Sequence, residues 1–119
     1  LNGVLAVSRA FGDAPHKQGE QQRGQLIAKP AICVRQLEPG DEFLILACDG
    51  IWDVIMDQQA VDFVRAQLHK HRDVDVAAKA LVRKCIEMGS IDNCSAVIIG
   101  LNQAQAARMG NRIGCCTLQ

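Results

Sequence analysis

Apolar positions along the chain fall into short runs interrupted by two longer stretches with helical spacing. Gly3 to Ala10 (GVLAVSRA) is an apolar segment ending at Gly12-Asp13, which predicts a strand followed by a turn. Ala14 to Gly24 is polar and punctuated by Pro15, Gly19 and Gly24, the composition of a loop. Leu26 to Ala28 and Ile32 to Leu37 predict strands separated by Pro30, and Glu38-Pro39-Gly40-Asp41 supplies turn chemistry. Phe43 to Cys48 (FLILAC) is apolar at every position, which predicts a strand buried on both faces. It stops abruptly at Asp49-Gly50.

Asp57 is placed to cap a helix from about Gln58 to His69, with Ala60, Val61, Val64 and Leu68 on one face. Asp73 is placed to cap a second helix, in which Ala77, Leu81 and Cys85 recur at four-residue spacing and Gly89 lies beyond the end. Cys94 to Leu101 (CSAVIIGL) predicts the last strand. Beyond Asn102 the sequence is polar and irregular, so the domain is expected to cover residues 1–102 and a flexible tail residues 103–119. Strands, two helices and a further strand predict an α+β fold, with both helices packed on one face of a mostly antiparallel sheet.

Composition narrows the setting. The 119 residues are 49% hydrophobic and 22% charged, as expected of one soluble domain or part of a larger one. Thirteen basic and 13 acidic residues give a formal net charge of zero, with no basic run. That balance argues against nucleic acid and against an electrostatic membrane surface site. The chain opens on Leu1 and is expected to begin inside a domain, with no secretory signal pattern. No apolar run approaches the roughly 18 residues that span a bilayer. The six cysteines, Cys33, Cys48, Cys85, Cys94, Cys115 and Cys116, form no CxxC pair and show no zinc spacing. They predict reduced structural thiols of a cytoplasmic or nuclear protein.

Candidate chemistry gathers at strand ends. Asp49 lies just past the end of one predicted strand and Asp92 just before the start of another. If those strands pair as antiparallel neighbours, both carboxylates fall on the same edge of the sheet. Convergent carboxylates repel unless a cation sits between them, and oxygen-only ligation suits Mg²⁺ or Mn²⁺ rather than zinc. Asp53 follows Asp49 by one helical turn and can reach the same side. On the residues alone a second reading stands: Asp-Gly after a strand is a common turn, and Asp-Asn before one a common Asx turn.

Three segments occur in this order: LAVSRAFGD (Leu5 to Asp13), DEFLILACDGIWDV (Asp41 to Val54) and GSIDNCS (Gly89 to Ser95). Together they resemble the signature blocks of the protein phosphatase 2C family, over about residues 1–101. The resemblance implies a four-layer αββα sandwich holding a two-metal centre of Mg²⁺ or Mn²⁺. It implies that Asp49 and Asp92 are metal ligands and that Asp53 helps hold a weaker third ion. It also implies phosphoserine and phosphothreonine in proteins as substrates, attacked by a metal-activated water. The remaining ligands, the phosphate-binding Arg and the general-acid His of such an enzyme belong to the N-terminal half of the domain. None of His16, His69 or His71 matches that His, and this stretch assigns no catalytic residue of its own. The 119 residues alone are therefore expected to be inactive and to need that half as a partner, with phosphoproteins as substrates of the whole.

Arg9 is a candidate phosphate clamp, against an internal ion pair with an acid such as Asp13. Trp52 is expected to pack. His69 and His71 are expected near a helix C-terminus, where a cation suits the dipole. The final Cys116-Thr117-Leu118-Gln119 fits a C-a-a-X farnesylation pattern, with Cys115 as a second lipidation site, so membrane anchoring is expected only if the tail is lipidated. The alternative to an enzyme part is a non-catalytic or truncated phosphatase-like interaction or regulatory module. A plain cation-binding domain is the third reading.

Overall fold

A computed structural model describes residues 7–17, 26–101 and 113–118, which fall into two units, one ending at Gln36 and one starting at Leu37. In the first unit an isolated parallel bridge joins Arg9 to Ile27, through Ala10 N–H to the Ile27 carbonyl and Ile27 N–H to the Ser8 carbonyl, both 3.1 Å. The polar stretch expected to be loop contains one short helix, α1 (Ala14–Lys17). Lys17 Nζ donates to the Ala10 carbonyl at 2.6 Å. The first half of the strand predicted over Gly3 to Ala10 lies outside the described residues.

Ile32 to Leu37 does not become a strand. Ile32 and Val34 are almost fully exposed, and no ladder partner faces them among the described residues. A strand is defined by hydrogen bonds to a neighbour, which a local apolar run cannot supply.

In the second unit the turn forms as its residues dictate. Asp41 N–H donates to the Glu38 carbonyl, and Asp41 Oδ2 accepts from Glu38 N–H at 2.9 Å. The chain then runs through β1 (Phe43–Ala47), α2 (Asp49–Trp52), α3 (Asp57–His71), α4 (Val74–Glu87), β2 (Cys94–Gly100) and β3 (Ile113–Leu118). The three strands form one antiparallel sheet in the order β1-β2-β3. This is the α+β class expected from the sequence.

Both helices hold the positions their periodicity predicts. Ala60, Val64 and Leu68 of α3 are buried, as are Ala77, Leu81 and Cys85 of α4. Asp73 caps α4 by accepting from the N–H groups of Asp75 and Val76 at 2.8 and 3.2 Å. At its other end Gly89, at φ 94°, lets Gly89 N–H reach the Ile86 carbonyl and Ser90 N–H the Cys85 carbonyl. That is a Schellman closure, and the left-handed residue it needs is a glycine. Asp57 is the first residue of α3 rather than its cap. Gln59 Oε1 reaches back to Met56 N–H instead, at 3.2 Å.

The layering differs from expectation in one respect. α4 packs directly on β2 and β3, while α3 packs chiefly on α4. The core of Ile51, Val64, Val74, Leu81, Val82, Cys94 and Ile98 lies between these elements.

Two further expectations are corrected. β1 is covered on one face only, with Leu44 and Leu46 47% and 48% exposed, because the helices occupy a single side of the sheet. Residues Ile113–Leu118, expected in a flexible tail, form β3 against β2. Gly114 makes this seat possible, since a β-carbon there would collide with the Val74 carbonyl at the start of α4. Cys115 N–H also donates to Asp75 Oδ1 at 3.3 Å. No described helix is long and apolar enough to cross a membrane.

Candidate functional site

Strand pairing places the two principal carboxylates. β1 and β2 run antiparallel with Ala47 opposite Ala96, and the ladder continues one step further as Cys48 N–H donates to the Ser95 carbonyl at 3.2 Å. Asp49 leaves β1 and Asp92 approaches β2 at the same end of the sheet. There the two backbones touch. A β-carbon on Gly50 would collide with the Asn93 carbonyl oxygen and come within 3.4 Å of Asp92 Cβ. Only a glycine after Asp49 permits this approach.

A hydrogen-bonded frame holds the contact. Ser90 Oγ donates to the Gly50 carbonyl at 2.7 Å, and Cys94 Sγ meets the same oxygen at 3.3 Å. Cys48 Sγ donates to the Asn93 carbonyl at 3.1 Å and accepts from Ser95 N–H at 3.2 Å. Cys48 and Cys94, expected only as reduced structural thiols, and Ser90, for which the sequence predicts no role, carry this frame. Their links run between residues some forty positions apart, and the only signal was their presence in the two Asp-bearing blocks.

Each carboxylate binds its own following amide. Asp49 Oδ1 accepts from Gly50 N–H at 3.0 Å and Asp92 Oδ1 from Asn93 N–H at 2.6 Å. These are the local turn contacts of the second reading, and they involve one oxygen of each group. Both side chains are exposed, and neither forms an ion pair among the described residues. Exposed carboxylate oxygens with no cationic partner suit a hard divalent cation. Among the described residues, no group of three Asp, Glu, His or Cys side chains is arranged to hold an ion. Asp49 and Asp92 are thus two carboxylates at one sheet end without a third ligand beside them among the described residues. Asp53 N–H closes the α2 turn onto the Asp49 carbonyl at 2.8 Å, but its exposed carboxylate does not join Asp49 and Asp92 in a three-ligand group.

The other candidates occupy structural places. Arg9 Nη1 donates to the Lys29 carbonyl at 2.9 Å. Trp52 packs on the core with its indole N–H on the Ala47 carbonyl at 3.0 Å, the packing role expected of it. His69 and His71 lie in the last turn of α3, also as expected. His16 lies in α1. All six cysteines are free thiols. Burial raises the Cys85 thiol above its ordinary value of 9.0, with Cys94 and Cys48 adding to the shift and Lys84 opposing it, so Cys85 stays protonated at neutral pH. Cys115 is exposed, whereas Cys116 is half-buried in β3 against the core.

The described residues form an α+β chain that brings two carboxylates to one end of an antiparallel sheet. The profile of the protein phosphatase 2C family matches residues 1–94. Probable protein phosphatase 2C 22 of Arabidopsis thaliana is 44% identical over 107 residues, covering 85% of this chain and 27% of that protein. Probable protein phosphatase 2C 27 of Oryza sativa subsp. japonica is 40% identical over 119 residues, covering 96% and 33%. Protein phosphatase 1A of Bos taurus is 41% identical over 103 residues, covering 83% and 27%. The chain belongs to the protein phosphatase 2C family. It spans about a third or less of the length of these relatives.

Proposed function

We propose that this chain forms one wall of the metal centre of a protein phosphatase that hydrolyses phosphoserine and phosphothreonine in proteins. The observation that carries the proposal is the contact between the Asp49-Gly50 and Asp92-Asn93 segments in a chain of this family. Asp49 and Asp92 would hold Mg²⁺ or Mn²⁺, and Asp53, one turn further on, would serve a weaker third ion. Bound ions of this kind supply an activated water and neutralise charge on phosphoryl oxygens. Gly50 keeps the two segments in contact, while Ser90 and Cys48 fix them against each other. The half-exposed face of β1, with Leu44 and Leu46, fits a second sheet packing there in the whole αββα domain.

Two carboxylates without a third ligand among the described residues make the isolated 119 residues inactive in this proposal. With Mn²⁺ and a phosphothreonine peptide, the pure chain should release no phosphate above the metal-only control. Within a longer protein that carries this chain, Asp49→Asn or Asp92→Asn should lower hydrolysis by about a hundredfold or more, since each removes a metal-ligating oxygen. Full activity in either variant would overturn the assignment, and turnover by the isolated chain would overturn the shared-site account.

A further inference from the structure

Between α3 and the C-terminal end of α4 lies a recess of about 250 Å³ lined by Ile55, Gln59, Phe63, Lys84 and Met88. Ile55 is buried at its floor, Phe63 and Lys84 are half-buried, and Met88 and Gln59 are exposed. Lys84 is the one charged residue of the lining, and it forms no ion pair or hydrogen bond with a side chain among the described residues. Its position in the last turn of α4 suits the helix dipole. The dipole does not explain why its stem borders an apolar recess.

Size and charge together describe an occupant. Pockets for cofactors and drug-sized ligands run from about 300 Å³ upward, so this recess is matched to a single bulky side chain. Apolar walls favour an aliphatic or aromatic anchor, the kind of residue that dominates protein recognition. The ammonium beside them favours a carboxylate next to that anchor. We propose that the recess is a docking site for a linear protein segment presenting a bulky apolar side chain beside an acidic residue. Both walls connect by the chain to the carboxylate edge: Ile55 follows α2, which begins at Asp49, and Met88 caps the helix that leads into Asp92. A docked segment therefore lies on elements that adjoin, along the chain, those carrying the site, though the docking does not depend on the metal reading.

The test uses the full 119-residue chain and two labelled peptides, Gly-Glu-Glu-Leu-Phe-Glu-Gly and its counterpart with Lys in place of each Glu. Binding is read from fluorescence anisotropy and from methyl resonances of Ile55 and Met88. The acidic peptide should bind and shift both methyls. Lys84→Glu should weaken it by about tenfold or more and make the basic counterpart the better ligand. Lys84→Gln, which keeps the stem and loses the charge, should fall between and guards against a folding defect. Binding that survives Lys84→Glu, shifts confined to Leu44 and Leu46 on the sheet, or no binding by the acidic peptide would each overturn the proposal.

Discussion

At Gly50 a β-carbon would run into the Asn93 carbonyl oxygen, so alanine there must push the start of α2 away from the segment that carries Asp92. The obstacle is backbone held by Cys48 and cannot rotate aside. Gly50→Ala should therefore lower stability by about 1–3 kcal/mol, the usual range for overpacking. Gly40→Ala is the control, because a β-carbon there meets nothing, and it should be close to neutral. Denaturant midpoints of the two variants check this, and a Gly50→Ala midpoint equal to the control's would contradict it. The importance of Asp49-Gly50 was legible in the sequence, because an apolar run that stops on Asp-Gly marks a strand end. Its partners were not. Ser90 and Cys94, which follow α4 in the chain, reach the Gly50 carbonyl, and nothing local in their own segments announces that contact.

The helices are more legible in the sequence than the strands, for a physical reason. A helix satisfies its own backbone, so Asp73, the Ala77-Leu81-Cys85 spacing and Gly89 were enough to locate α4. A strand exists only against a neighbour. Ile32 to Leu37 is a mostly apolar run with no described partner, whereas Ile113–Leu118 has a weak pattern and a partner in β2. The seat of β3 depends on Gly114, where a β-carbon would strike the backbone of Val74 and Asp75. Gly114→Ala should lift β3 off α4, lowering stability by about 1–3 kcal/mol and removing hydrogen-exchange protection from the amides facing β3 along Cys94–Gly100. Unchanged protection on that edge would show that β3 does not need this close approach.

For the whole molecule, what the chain contains and what it leaves open point the same way. It spans about a third or less of its relatives' length, exposes apolar Leu44 and Leu46 on one sheet face, and offers two carboxylates at one sheet end with no third ligand gathered among the described residues. The central claim is that Asp49 and Asp92 share a cation, and paramagnetic broadening tests it directly. Mn²⁺ titrated into the isotopically labelled chain should broaden the amide signals of Asp49, Gly50, Asp92 and Asn93 first. The binding should be weak, because only two carboxylates contribute. Replacing both with Asn should abolish that broadening while leaving the rest of the spectrum in place. Broadening centred elsewhere, or left intact in the double variant, would contradict the account.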